Sequence, residues 1–292
     1  MLASALRFFL LIELAIYMAM AMRVFDLPVV PAIFASLAVL LGQRLGIVLT
    51  TYAIALAHHS PAPRLGWLRA VTMVFAEVFA FLRLFIFILP WERLWMGEDR
   101  LSPQGGRPLL LIHGYGCNRG AWWWLRRRLE AAGFSVATVN LEPVYVDIDH
   151  YVTAIEARIE AACGLAGSDR ITLVGHSMGG LAARAYLARH GTARVAQLVT
   201  LATPHAGSLL ARMGMGANAR QMEPGSPWLK SLSQQIPDLP IVALRNAHDN
   251  FVMPQDSQRL PSALDVELPG LGHLAMLFSP RTADALLAAL RR

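Results

Sequence analysis

Three apolar stretches fill most of the first 90 residues and limit what this chain can fold into. They cover residues 8–22, 29–57 and 70–89. Residues 1–90 carry only nine of the 46 charged residues in a 292-residue chain: Arg7, Glu13, Arg23, Asp26, Arg44, Arg64, Arg69, Glu77 and Arg83. A helix needs about 20 residues to cross a bilayer's hydrocarbon core. The second and third stretches reach that length, and the first does so if residues 2–6 join it across Arg7. Pro28 and Pro31 break the chain before the second stretch, and the segment from His58 to Pro63 forms a loop after it. Residues 1–90 are therefore read as a membrane-anchoring unit of two to three spans.

Two other readings stay open. Arg7, an apolar run and Ala19-Met20-Ala21 also fit a cleaved signal peptide, although Glu13 inside the run counts against it. The stretches could instead form a helical cap on the rest of the chain, but the third is apolar all round rather than along one stripe. Charges inside a span face protein or water, so Glu13, Arg44, Glu77 and Arg83 are candidates to pair between helices or to snorkel. The loop 58–69 holds Arg64, Arg69 and no acid. Under the positive-inside rule it is cytoplasmic, and three spans then put residues 91–292 outside the cytoplasm of a bacterial inner membrane.

Composition excludes several classes. Charged residues make up 16% of the chain, against about 25% in soluble domains. Lys230 is the only lysine, and the basic residues are scattered, so the net charge of +6 is no nucleic-acid signature. Arg126, Arg127 and Arg128 read as a solvated helix face. Cys117 and Cys163 are too few for a disulfide scaffold and are taken as free thiols, with a single disulfide possible outside the cytoplasm.

From Pro108 onward, short apolar runs alternate with helical patterns. Strands are expected at residues 108–112, 134–140, 171–174, 195–202, 241–244 and 265–268, with helices at 121–132, 150–162, 178–190 and 282–292. Such alternation implies a mostly parallel sheet covered on both faces. The chemistry of such sheets lies at the carboxyl ends of the strands. Residues 206–236 read as an irregular, Met-rich insertion suited to an apolar pocket or a lid, or simply to helices packed on the sheet.

One motif carries chemistry. Gly175-His176-Ser177-Met178-Gly179-Gly180 is a G-x-S-x-G sequence between a strand and a helix, the context that exposes a serine on a strained turn. Serine needs a base, and the base needs an orienting acid. In the order Ser, Asp, His at late strand ends, Asp249 and His273 fit. Asp256 and Asp238 are the alternatives for the acid; Asp238 precedes its strand, and Asp256 lies further along the chain. Two backbone amides should stabilise an oxyanion: Met178, next to the serine, and Tyr115 in the His113-Gly114-Tyr115-Gly116 loop. His113 is expected to hold that loop, and His176 to be structural.

These residues resemble the α/β-hydrolase superfamily. The first-strand loop, the elbow and the segment from Gly270 to Leu277 resemble small bacterial triacylglycerol lipases. Thr203-Pro204-His205-Ala206-Gly207-Ser208 is similar to a motif in lipases and related deacylases. The resemblance covers residues 105–292. It implies an α/β-hydrolase fold after N-terminal transmembrane helices, ester hydrolysis through an acyl-enzyme on Ser177, and no metal or other cofactor. Lipid or other esters and the bilayer are the implied partners; nucleic acid is not, and the oligomeric state is open. An acyltransferase, a phospholipid deacylase and a non-catalytic binding module on the same fold are the alternatives.

Overall fold

The computed structural model describes residues 1–102 and 106–292. Among these residues, six strands form one parallel sheet: β1 (Leu109–Ile112), β2 (Val136–Val139), β3 (Ile171–His176), β4 (Val195–Leu201), β5 (Ile241–Arg245) and β6 (Leu264–Glu267). Their order is β2-β1-β3-β4-β5-β6. Every neighbouring pair is parallel. Each strand was expected within two residues of where it stands. A parallel sheet buried on both faces needs apolar side chains in consecutive positions, and that makes β1 to β5 legible; the edge strand β6 is largely exposed.

Successive side chains leave a strand on opposite faces, so β1 supplies two cores. Leu110 and Ile112 pack with α6 (Tyr151–Ala166) and α7 (Met178–His190). Leu109 and Leu111 pack with α5 (Trp123–Ala131), α10 (Pro280–Leu290) and residues of the N-terminal helices. Residues 206–236 are less irregular than their composition suggests, with short helices α8 (Gly216–Gln221) and α9 (Pro227–Ser233).

Before the sheet come α1 (Leu2–Arg23), α2 (Val29–Ala57), α3 (Trp67–Leu82) and α4 (Glu92–Met96). A π turn at Arg83–Ile88 and a tight turn at Leu89–Trp91 join α3 to α4. Pro90 explains the irregularity, because it lacks an N–H and its ring cannot pack against the carbonyl four residues earlier. Among the described residues, three helical runs are long and apolar enough to cross a membrane: Leu2–Arg23, Val29–Ala57 and Trp67–Met96. The first two form a hairpin that leaves Phe8, Leu11, Phe25, Val30 and Phe34 exposed. Glu13 and Arg44 pair inside it at 2.5 Å, as expected for charges among apolar helices.

The third run behaves differently. Met73, Glu77, Ala80 and Phe81 form a buried face, and Ala80, Phe81, Leu84, Ile88 and Leu89 share one core with Leu109, Leu111 and Leu274–Leu277. Although apolar all round, α3 therefore has an inner side. Glu77 and Arg83 do not pair with each other. Glu77 accepts backbone N–H groups of the α/β region, and the Arg83 guanidinium lies over the Phe278 ring.

Three spans in series would set loop 58–69 and residues 91–292 on opposite sides of a bilayer. The fold corrects that expectation. The Ser60 amide donates to Gln255, the Asp256 amide donates to Ser60 Oγ, and His248 Nε2 donates to the Pro63 carbonyl at 3.0 Å. Loop and sheet are packed together, which leaves no room for a bilayer between them. A second correction concerns Arg126, which is buried rather than solvated. It pairs with Asp99 at 2.9 Å and Glu130 at 2.6 Å.

Candidate active site

β3 runs into α7 through Ser177, whose backbone sits at φ 54° and ψ −127°. That conformation is costly for a residue with a side chain and persists only where packing enforces it. Gly179 shows how it is enforced. A Cβ there would stand 2.1 Å from the Ile112 carbonyl oxygen, so only glycine lets α7 start this close to β1. The first amide of α7 belongs to Met178, and no carbonyl of the same helix can reach it. The positive end of the helix dipole thus lies beside the Ser177 side chain.

The loop after β1 presses against this turn. A Cβ on Gly114 would be 3.0 Å from Ser177 Cβ. His113 anchors the loop through both ring nitrogens. Nδ1 donates to the Gly114 carbonyl at 2.9 Å, and Nε2 accepts from the Leu141 amide at 3.0 Å. Burial pushes His113 down to about 4, so it stays neutral, as a structural role requires. The loop thereby brings Tyr115 to the same cavity as Ser177. The Tyr115 hydroxyl exchanges hydrogen bonds with the backbone of Met215, both at 2.8 Å, tying this loop to the insertion.

Asp249 and His273 come from the loops after β5 and β6. Asp249 is fully buried. Its Oδ1 accepts the Phe251 and Val252 amides at 2.7 and 2.8 Å, and His273 Nδ1 donates to Oδ2 at 2.7 Å. Burial opposes a charge on His273, but the Asp249 carboxylate outweighs it and holds the imidazole above its ordinary value. Asp256 is partly exposed and pairs with Arg259, and Asp238 is exposed ahead of β5, so neither reaches His273. His176 packs 4.7 Å from the His273 ring and donates Nε2–H to the His273 carbonyl. Burial holds it well below its ordinary value. Cys117 and Cys163 are free and buried, and burial pushes the Cys117 thiol up to about 12.

Ser177 and His273 line one cavity of about 390 Å³. Its walls are mostly apolar: Tyr115 and Tyr145, Leu210, Met213 and Met222 of the insertion, and Phe251 near the acid. Leu2, Leu6 and Phe85 complete it. The N-terminal helices thus form part of the wall.

Sequence reasoning missed three supporting residues. Asn250 accepts the His273 amide through Oδ1 and donates to Thr51 of α2 at 2.8 Å. Ser208 donates to the Phe251 carbonyl and accepts the Met253 amide, so the Thr203–Ser208 motif clamps the acid loop. Glu77 was noticed as a charge in an apolar stretch, but its partners are 197 and 198 residues away. An acid there and a glycine at 272 were the only local signs.

An elbow after β3, an acid after β5, a histidine after β6 and a parallel sheet in this order decide the architecture. The chain has the α/β-hydrolase fold. Residues 107–231 match the family model described as alpha/beta hydrolase fold. The chain is similar to a triacylglycerol lipase of Pseudarthrobacter phenanthrenivorans, 30% identical over 109 residues that cover 35% of this chain and 34% of that protein. It is also similar to Methylesterase 3 of Arabidopsis thaliana, 34% identical over 82 residues, 25% of this chain and 30% of that one. The matched segment thus spans about a third of these relatives. Among solved structures, Bacillus licheniformis lipase BlEst2 in mature form superposes with a TM-score of 0.58 at 18% identity, covering 66% of this chain and 95% of that one. Aspergillus fumigatus lipase B gives 0.60 at 15%, covering 67% and 55%. The first three helices of the chain precede the segment that the family model matches.

Proposed function

We propose that the protein is a membrane-anchored serine hydrolase that cleaves carboxylic esters of lipids through an acyl-enzyme on Ser177. One observation carries the reading: a serine on a strained strand-to-helix turn shares an apolar cavity with a histidine that is hydrogen-bonded to a buried carboxylate. Asp249 fixes the Nδ1–H tautomer of His273. Nε2 is then free to take the Ser177 proton as Oγ attacks the ester carbonyl. The amides of Tyr115 and Met178 receive the oxyanion. Collapse of the tetrahedral intermediate expels the alcohol, protonated by His273. Water, activated by the same imidazole, then releases the acid.

The apolar cavity and the exposed helical hairpin support lipid as the substrate class. The 22 residues of α1 give a length of about 33 Å, enough for a hydrocarbon core. In this reading residues 1–90 are the anchor, with the α1–α2 hairpin in the bilayer and Glu13 and Arg44 neutralising each other within it. Residues 91–292 are the catalytic region, and 206–236 the lid over its cavity. Leu2 and Leu6 lie where the hairpin meets that cavity, so an acyl chain can pass from the adjoining leaflet to Ser177. Arg64 and Arg69 lie on the catalytic side, so the positive-inside rule puts both on the cytoplasmic face.

The test uses full-length protein in detergent beside Ser177→Ala and a chain-length series of p-nitrophenyl esters. Serine-dependent turnover that rises with chain length is expected, with fluorophosphonate labelling lost in Ser177→Ala. Absence of both turnover and labelling in the unaltered protein would defeat the reading.

A further inference from the structure

Glu77 differs from the other charges in the apolar helices. Glu13 and Arg44 satisfy each other inside the hairpin, and Arg83 rests on an aromatic ring. The Glu77 carboxylate leaves the helices altogether. It is 0% exposed, and it accepts the Leu274 amide on both oxygens at 3.0 Å and the Ala275 amide on Oε2 at 2.8 Å. Those are the two amides that directly follow His273.

The fit is close on the other side of the histidine as well. A Cβ on Gly272 would stand 2.2 Å from Glu77 Oε2 and 2.6 Å from Cδ. The segment from Gly272 to Ala275 therefore wraps around the carboxylate, and the His273 imidazole leaves the middle of that wrap to meet Asp249. A second thread from the same bundle ends on the same residue: Thr51 of α2 accepts from Asn250, whose Oδ1 accepts the His273 amide.

We infer that Glu77 is a positioning residue for His273: α3 delivers a buried carboxylate that pins the backbone on both sides of the histidine and so sets where its imidazole points. This rests on reading His273 as the base of the serine hydrolase. Burying a carboxylate is expensive, and apolar packing of the same volume often serves stability as well or better. What a carboxylate adds is charge-assisted bonds to backbone donors, about twice as strong as neutral ones and directional. The consequence is that the anchor does more than tether. The catalytic geometry is assembled from the apolar helices as well as from the sheet, and α3 belongs to the machinery.

The experiment compares Glu77→Gln with the unaltered full-length protein in detergent. Active sites are counted by end-point fluorophosphonate labelling, then kcat per labelled site, KM and the melting midpoint are measured. Glutamine can keep its oxygen in the Oε2 place, within reach of both amides, but then loses the charge and turns its NH2 against the Leu274 amide. The expected result is a fall of about 10- to 100-fold in kcat per site, the scale of a catalytic group displaced by about 1 Å, with KM within about twofold. A mere brace would lose labelled sites or melting temperature while kcat per remaining site stayed normal, and that result would overturn the inference. If Glu77→Gln does not fold, Gly272→Ala gives the same reading with Glu77 intact, because its methyl must displace the carboxylate; normal kcat per site there also overturns it. Ser177→Ala separates the two levels. Turnover in that variant defeats the hydrolase reading itself, whereas a dead Ser177→Ala beside a normal Glu77→Gln defeats only the role of Glu77.

Discussion

Asp249→Asn probes the charge network with almost no change of shape. Asp249 Oδ1 accepts two backbone amides, from Phe251 and Val252, and Oδ2 faces His273 Nδ1 at 2.7 Å. An asparagine in this fully buried place must keep its oxygen toward the two amides, since an NH2 there would oppose both donors. Its own NH2 then faces Nδ1 and donates. The imidazole is forced to accept at Nδ1 and to carry its proton on Nε2, the nitrogen that should receive the Ser177 proton. The same inversion of tautomer costs about 10⁴ in kcat in serine proteases, equivalent to about 5 kcal/mol in the barrier. The pH profile reports the change independently. The carboxylate holds His273 above its ordinary 6.5, against the effect of burial. Only neutral imidazole acts as a base, so kcat/KM of the unaltered protein should rise with pH through an apparent pKa above 6.5. The variant lacks the carboxylate charge, and its residual activity should rise at lower pH. By the same linkage, the charged pair adds stability below 6.5, which is lost as pH climbs through the raised value. The assay is p-nitrophenyl ester hydrolysis over a pH series, normalised to the folded fraction. A kcat within about tenfold of the unaltered protein would refute the reasoning.

Gly179→Ala puts a methyl 2.1 Å from the Ile112 oxygen and should cost about 3 kcal/mol or more, read as a lowered melting midpoint; an unchanged midpoint contradicts the packing of α7 on β1. Glu13→Ala leaves Arg44 uncompensated in the hairpin and should cost about 3–5 kcal/mol, whereas a Glu13→Leu, Arg44→Leu double variant should be close to neutral. Unfolding in mixed micelles measures both, and equal costs would show that the pair is not buried in hydrocarbon. Leu6→Trp should narrow the cavity from its helical wall and shift the preferred ester toward shorter acyl chains, with short-chain turnover little changed. An unaltered chain-length profile would remove α1 from the substrate path.

The sequence by itself determined whatever depends on neighbours in the chain. The positions of β1 to β5 could be read because a sheet covered on both faces demands consecutive apolar residues, whereas β6 is largely exposed. The elbow could be read because glycines flank a serine between a strand and a helix. Asp249 and His273 could be picked out by chain order at late strand ends, and the fold brings them into a hydrogen bond. Tertiary structure decided the rest, because each remaining item joins residues far apart in sequence. Glu77 looked like a charge seeking another helix until the turn after β6 came to lie against it. Loop 58–69 looked separable from the sheet until Ser60 and Pro63 met Gln255, Asp256 and His248. The inner side of α3 was invisible because its exposed side carries Leu68, Val71, Phe75 and Phe79, so both sides are apolar. Composition records that a surface avoids water, and only the packed structure shows what covers it.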